Sequence, residues 1–159
     1  MIKGFKIGFG FGLASAVITT LGLMVGLAAS TQSKLAIIGG IVMIAVADSF
    51  ADSLGIHIAK ESEGNFNNKQ VWQATLFTLF FKMVFASSFL VPIILLPIYP
   101  ALYVSMIWGA LILIFQSLKL AKDNKTKIHM VIIEHLSIAV LVIIINYYLG
   151  GFIAHLGLN

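Results

Sequence analysis

Apolar residues run along this chain in five long blocks, and the polar residues gather in the short breaks between them. A helix crossing a bilayer needs roughly 20 apolar residues at about 1.5 Å each. Five stretches meet that length: 5–29, 35–59, 71–96, 101–120 and 128–155. The break at 60–70 carries Glu61, Glu63 and Gly64 among its polar residues. The segment Pro97 to Pro100 predicts a tight turn, because each proline opposes helix in the residue before it. Lys119 to Lys127 is the most charged connection. The pattern therefore predicts an all-α integral membrane protein, with one five-helix domain over residues 1–159 and no soluble domain.

Composition strengthens this reading. Hydrophobic residues make up 60% of the chain and charged residues only 10%, where soluble domains carry about 25%. Mean hydropathy is +1.04. The net charge is +4 and every basic residue is lysine. In a water-soluble protein such a balance would suggest nucleic acid. Here the lysines cluster at predicted helix ends, so membrane orientation explains them better. Lys3, Lys6, Lys60, Lys69, Lys119, Lys122, Lys125 and Lys127 fall on one side of a five-helix path, and Lys34 alone falls on the other. The expected orientation has the N-terminus in the cytoplasm and the C-terminus outside. The first apolar block is too long for a signal-peptide core, and the minimal loops point to a prokaryotic plasma membrane. With no cysteine, disulfides and thiolate metal sites are excluded.

Ionisable residues inside a bilayer cost roughly 2.5–3.5 kcal/mol on insertion scales and are the first candidates for function. This chain places Asp48, Asp52, Lys82 and Glu134 within its apolar blocks. Asp48 and Asp52 are four apart and share one helix face. Two carboxylates on one face offer hard oxygen ligands to a divalent cation. When no cation is bound, like charges repel at this spacing, and a proton relieves them. A cation/proton exchanger needs that pairing of metal and proton. The competing reading has neutral aspartates bonded across helices to Ser15, Thr19 or Thr20. Lys82 could pair with Glu134 or with an aspartate, mark a kink, or snorkel towards the surface. Glu134 and His135 could line a cytoplasmic vestibule.

Other polar and small residues have plainer readings. His57 falls about 140° around the helix from Asp52 and is off the aspartate face. His129 and His155 read as interfacial. Met24, Met43, Met83, Met106 and Met130 read as packing residues. Gly8, Gly12, Gly22 and Gly26 give small-xxx-small spacings that let helices approach closely. Gly8 to Gly12 has no preceding strand and no P-loop lysine, so it is not a nucleotide loop.

Several motifs together resemble the vacuolar iron transporter family. Gly12 to Leu27 is similar to its first helix. Ala47 to Glu63, which includes Asp48, Asp52 and Gly55, is similar to its second. Phe89 to Pro97 is similar to the proline-containing end of its third, and Lys127 to Ile153, with Gly150 and Gly151, is similar to its last. The resemblance implies a two-fold symmetric homodimer that exports ferrous iron or related divalent metals from the cytosol in exchange for protons, along a path lined by the first two helices. It also exposes departures. The family's helix-one aspartate falls on Ser15, its helix-two methionine ligand on Asp52, and a further glutamate on Ile56. The glutamate-rich cytoplasmic domain is reduced to Glu61 and Glu63. These changes admit a relocated site with Asp52 taking over, a harder ion such as manganese, magnesium or calcium, or loss of transport.

The expected function is divalent metal export of the iron and manganese type, coupled to protons. Asp48 and Asp52 are the principal ligands, supported by Ser15, Thr19 and Glu134. No cofactor is expected beyond the transported ion. A non-transporting scaffold or partner subunit is the main competitor. A metal-dependent lipid enzyme is disfavoured, since the chain has no arginine to hold a phosphate.

Overall fold

The computed structural model describes residues 3–157, and these are helical almost throughout. Helix α1 spans Lys3–Thr31. The second crossing consists of α2 (Lys34–Met43), a π-helical turn (Ile44–Asp48) and α3 (Ser49–Ser62). The third consists of α4 (Asn68–Ser88) and the short α5 (Leu90–Leu95). Helices α6 (Ile98–Asn124) and α7 (Ile128–His155) complete the chain. Five crossings are long and apolar enough to span a membrane, as the hydropathy pattern predicts.

Local chemistry sets the ends. The Ser33 hydroxyl accepts from the Ala36 N–H at 3.2 Å and starts α2. Asn67 and Gln70 exchange side-chain and backbone hydrogen bonds as a capping box that starts α4, satisfying two donors the first turn would leave open. Helices α3 and α4 therefore extend into the polar break expected at 60–70. The break between α4 and α5 falls where Pro92 dictates. Proline has no N–H for the carbonyl four residues back, and its ring clashes there. That carbonyl belongs to Ser88, the last residue of α4. The turn expected over Pro97 to Pro100 is shorter than the sequence suggests. Helix α6 begins at Ile98, and Pro100 sits in its first turn, where a missing N–H costs nothing. Helix α6 also outruns its expected end at Leu120, and Lys125 then turns the chain at φ 53°.

Helix α1 is the centre of the bundle. Leu13, Val17, Leu21 and Met24 are buried along it, against Ile37, Ile41, Phe89, Ile93 and Leu113 from its neighbours. Its glycines set the closest approach. A Cβ at Gly8 would lie 2.5 Å from the Phe77 Cβ and 2.6 Å from the Thr78 nitrogen of α4, so only glycine lets these backbones meet. The faces turned away from α1 are apolar and exposed: Val42, Val46, Phe50 and Leu54 on the second crossing, and Ile133, Leu141, Leu149 and Phe152 on α7. In water such a surface would be untenable, and in hydrocarbon it costs nothing. The methionines divide. Met24 is core, but Met43 and Met130 are exposed on the outer surface.

The Lys6 ammonium and the Asp123 carboxylate pair at 2.9 Å. This joins the start of α1 to the end of α6, so the lysine-rich segments share one end of the bundle.

Candidate functional site

Three elements converge about halfway along the bundle. Ala16 of α1, Ala45 of the π turn and Ala86 of α4 form a buried cluster of small side chains. Their size lets the three backbones come close, and the polar residues beside them then meet. Ser15 follows from α1, Asp48 ends the π turn, Asp52 lies one turn into α3, and Lys82 lies one turn before Ala86 on α4. A π turn inserts one extra residue into a helix and is often found at functional sites. Here it sets the rotation at which Asp48 leaves the second crossing.

Lys82 is completely buried, and its ammonium serves both aspartates. It lies 2.5 Å from Asp48 Oδ2 and in direct contact with Asp52 Oδ2. The Asp52 contact is a hydrogen bond. Asp48 Oδ2 is buried against the same ammonium. The Ser15 hydroxyl donates to Asp52 Oδ2 at 2.6 Å. Ser49, one residue beyond Asp48, is buried with an unpartnered hydroxyl.

The expected residues thus divide. Asp48, Asp52 and Ser15 come together. Thr19 does not join them, because its hydroxyl donates back to the Ser15 carbonyl at 2.8 Å, the usual satisfaction of a mid-helix threonine. Thr20 is buried without a side-chain partner. Glu134 is exposed on α7, a helix that packs on α1 and α6 and not beside the aspartates. His57 is off the aspartate face, as its spacing requires. Its Nδ1 lies 3.0 Å from the Thr75 hydroxyl, and its ring meets Trp72 edge to face. Lys82 neither snorkels nor pairs with Glu134. It belongs to the site, and the sequence signal for it is the one fully intramembrane lysine.

The charges of this group are two carboxylates and one ammonium, a formal sum of −1. Their exposure is uneven. The Lys82 side chain is sealed at 0%, while those of Asp48 and Asp52 keep 35% and 23% of their surface open. The open surface belongs to the aspartate side chains, while Asp48 Oδ2 itself is buried against the lysine. The donors available are carboxylate and hydroxyl oxygens, a set suited to hard cations. Among the described residues no three His, Cys, Asp or Glu side chains cluster to hold a metal ion. A cation at this site would have two carboxylates and Ser15, with Lys82 already beside them.

The fold and the site together define a class: a five-crossing helical membrane protein with an Asp–Lys–Asp group inside the bundle. No family model, curated protein or solved structure matches the chain.

Proposed function

We propose that this protein is a membrane transporter that moves a divalent cation of the iron or manganese type in exchange for protons, with Asp48 and Asp52 as its cation ligands. The observation that carries this reading is the contrast in exposure at the site. An ion pair that only held helices together would be best sealed on both sides, since a buried charge costs least when every polar atom is satisfied. Here the aspartate side chains keep part of their surface open while their counter-ion is enclosed.

Lys82 gives the exchange a physical basis. The group with its lysine carries −1, and a divalent cation would bring it to +1 in a medium that tolerates net charge poorly. Cation entry therefore requires the ammonium to leave the space between the carboxylates or the site to give up a positive charge. Ser15, which falls where the vacuolar iron transporter family carries its helix-one aspartate, still engages the helix-two ligand. That contact supports a relocated site of that family's kind, with Asp52 in the principal role. A homodimer fits the open side of the site, because a second copy against α2 and α3 would cover the aspartate surface that a single chain leaves open.

The non-transporting scaffold is the second reading, favoured by the contact of Lys82 with both carboxylates: α3 and α4 are tied together by an ion pair that any cargo must disturb. Uptake of ferrous iron and of manganese into proteoliposomes under an imposed pH gradient separates the two. Gradient-driven uptake that disappears in Asp48→Asn/Asp52→Asn supports transport. Folded wild-type protein that moves neither metal leaves the scaffold.

A further inference from the structure

A second site lies at the lysine-rich end of the bundle, in a cleft of about 450 Å³ between the start of α1 and the end of α6, flanked by His135 of α7. It shares no lining residue with the Asp–Lys–Asp group. Its wall is apolar, with Phe9, Phe11 and Leu120, and Phe11 and Leu120 continue onto the exposed surface. Its polar lining is more specific. Gln116 is only 5% exposed. Its Nε2 donates to the Gly10 carbonyl at 2.6 Å, and its Oε1 is buried with no partner. That bond fixes which end of the amide is the acceptor, so a residue lining the cleft carries a buried carbonyl oxygen lacking a donor, an arrangement that costs stability until a donor arrives.

The cleft is also positively charged. Lys6 is paired with Asp123 at 2.9 Å. Lys119 makes no ion pair among the described residues. Its ammonium instead rests 3.9 Å from the Phe9 ring centroid and 5.6 Å from that of Phe5. Two ammoniums and one carboxylate leave one positive charge to be met. The complement of this cleft is a molecule with one negative charge, a hydroxyl or N–H donor, and an apolar body that follows Phe11 and Leu120 into hydrocarbon. Basic pockets between membrane helices suit anionic headgroups on these grounds.

We propose that this cleft holds the headgroup of a monoanionic phospholipid that carries a hydroxyl, of the phosphatidylglycerol kind. Its phosphate meets Lys119 and Lys6, and its hydroxyl donates to Gln116 Oε1. A choline headgroup supplies no donor, and an ethanolamine headgroup brings an ammonium beside two lysines.

Native mass spectrometry of the full chain, titrated with single lipids, tests this. Dioleoyl phosphatidylglycerol should bind more tightly than dioleoyl phosphatidylcholine, and Lys119→Met should weaken it about fivefold, as expected for one basic side chain near a headgroup. Lys125→Met, which removes a lysine outside the cleft, should change nothing. Dioleoyl phosphatidylethanol has the same charge without the hydroxyl, so it tests the Gln116 contact without a mutation. It should bind about threefold or more weakly than phosphatidylglycerol, the effect of one missing hydrogen bond at a buried acceptor. Equal binding of phosphatidylglycerol and phosphatidylcholine, or equal losses in Lys119→Met and Lys125→Met, overturns the site in favour of diffuse surface attraction. Equal binding of phosphatidylethanol overturns the Gln116 assignment. Displacement of the lipid by comparable concentrations of soluble glycerophosphoglycerol overturns the lipid as its source.

Discussion

The Ser15 hydroxyl donates to Asp52 Oδ2 at 2.6 Å, across 37 positions of sequence. Asp52 is therefore held from both sides, by a neutral donor on α1 and by the Lys82 ammonium on α4. Replacing Ser15 with aspartate would put a third carboxylate at the same point and take the formal charge of the group from −1 to −2. Ser15→Asp is expected to raise manganese affinity about tenfold, about 1.4 kcal/mol, because the added charge balances a divalent ion. Ser15→Ala should lower uptake by a few-fold at most, since Lys82 still positions Asp52. Manganese titration of both variants in proteoliposomes checks the pair. An unchanged affinity in Ser15→Asp would place the cation elsewhere.

Lys82 should matter more to stability than any other side chain at the site. Its removal leaves two carboxylates facing each other inside the bundle. Breaking a buried pair by deleting one partner costs about 3–5 kcal/mol, and the partial exposure of the aspartates places Lys82→Met near the lower bound. The loss should be largely recovered in the triple variant with Asp48→Asn and Asp52→Asn, which removes the charges that need the lysine. Thermal unfolding in one detergent, with all variants side by side, reads this coupling. If the triple variant is no more stable than Lys82→Met, the stem of the lysine and not its charge is what the bundle needs.

The five crossings were legible because lipid imposes a length and a composition that the chain displays directly. The pairing of Asp48 with Asp52 was legible from their spacing, and the role of Gly8 and Gly12 from theirs. The lysine was visible and an aspartate was one of the partners open to it, but the choice among them was not, since Lys82 and Asp52 lie 30 positions apart and only the packing of α3 on α4 brings them together. The π turn was hidden for a similar reason: nothing in Ile44 to Asp48 differs in composition from the helix around it. Thr19 was misjudged because a threonine that returns its hydroxyl to its own helix looks, in sequence, like one that reaches across.

The glycines provide a test of packing independent of any transport assay. A Cβ at Gly8 meets the backbone of α4 at 2.6 Å, which cannot yield, whereas a Cβ at Gly55 meets nothing within 4 Å. Gly8→Ala should therefore destabilise by about 1–3 kcal/mol through overpacking. Gly55→Ala should be neutral or stabilise by up to about 1 kcal/mol through helix propensity. The two substitutions make the same chemical change in the same kind of element, so opposite shifts in unfolding temperature would isolate the α1–α4 contact as the cause. A similar loss in both would mean that Gly55 is covered by something outside the single chain, and α3 would then be an interface.

Orientation can be read with single cysteines, because the chain has none of its own. The Lys6–Asp123 pair fixes the start of α1 and the end of α6 at one end of the bundle, so Lys125, just past α6, belongs with them, while Lys34 starts α2 at the opposite end. The excess of lysine at the first end predicts that it faces the cytoplasm. In intact cells a membrane-impermeant maleimide should label Lys34→Cys and spare Lys125→Cys, and permeabilised cells should label both. Lys34 also donates to the Ile94 carbonyl at 2.9 Å in the last turn of α5, where a cation favours the helix end. Its replacement should therefore lower stability slightly without changing the side on which it is labelled. The reverse labelling pattern would turn the protein over in the membrane and place the lysine-rich end outside.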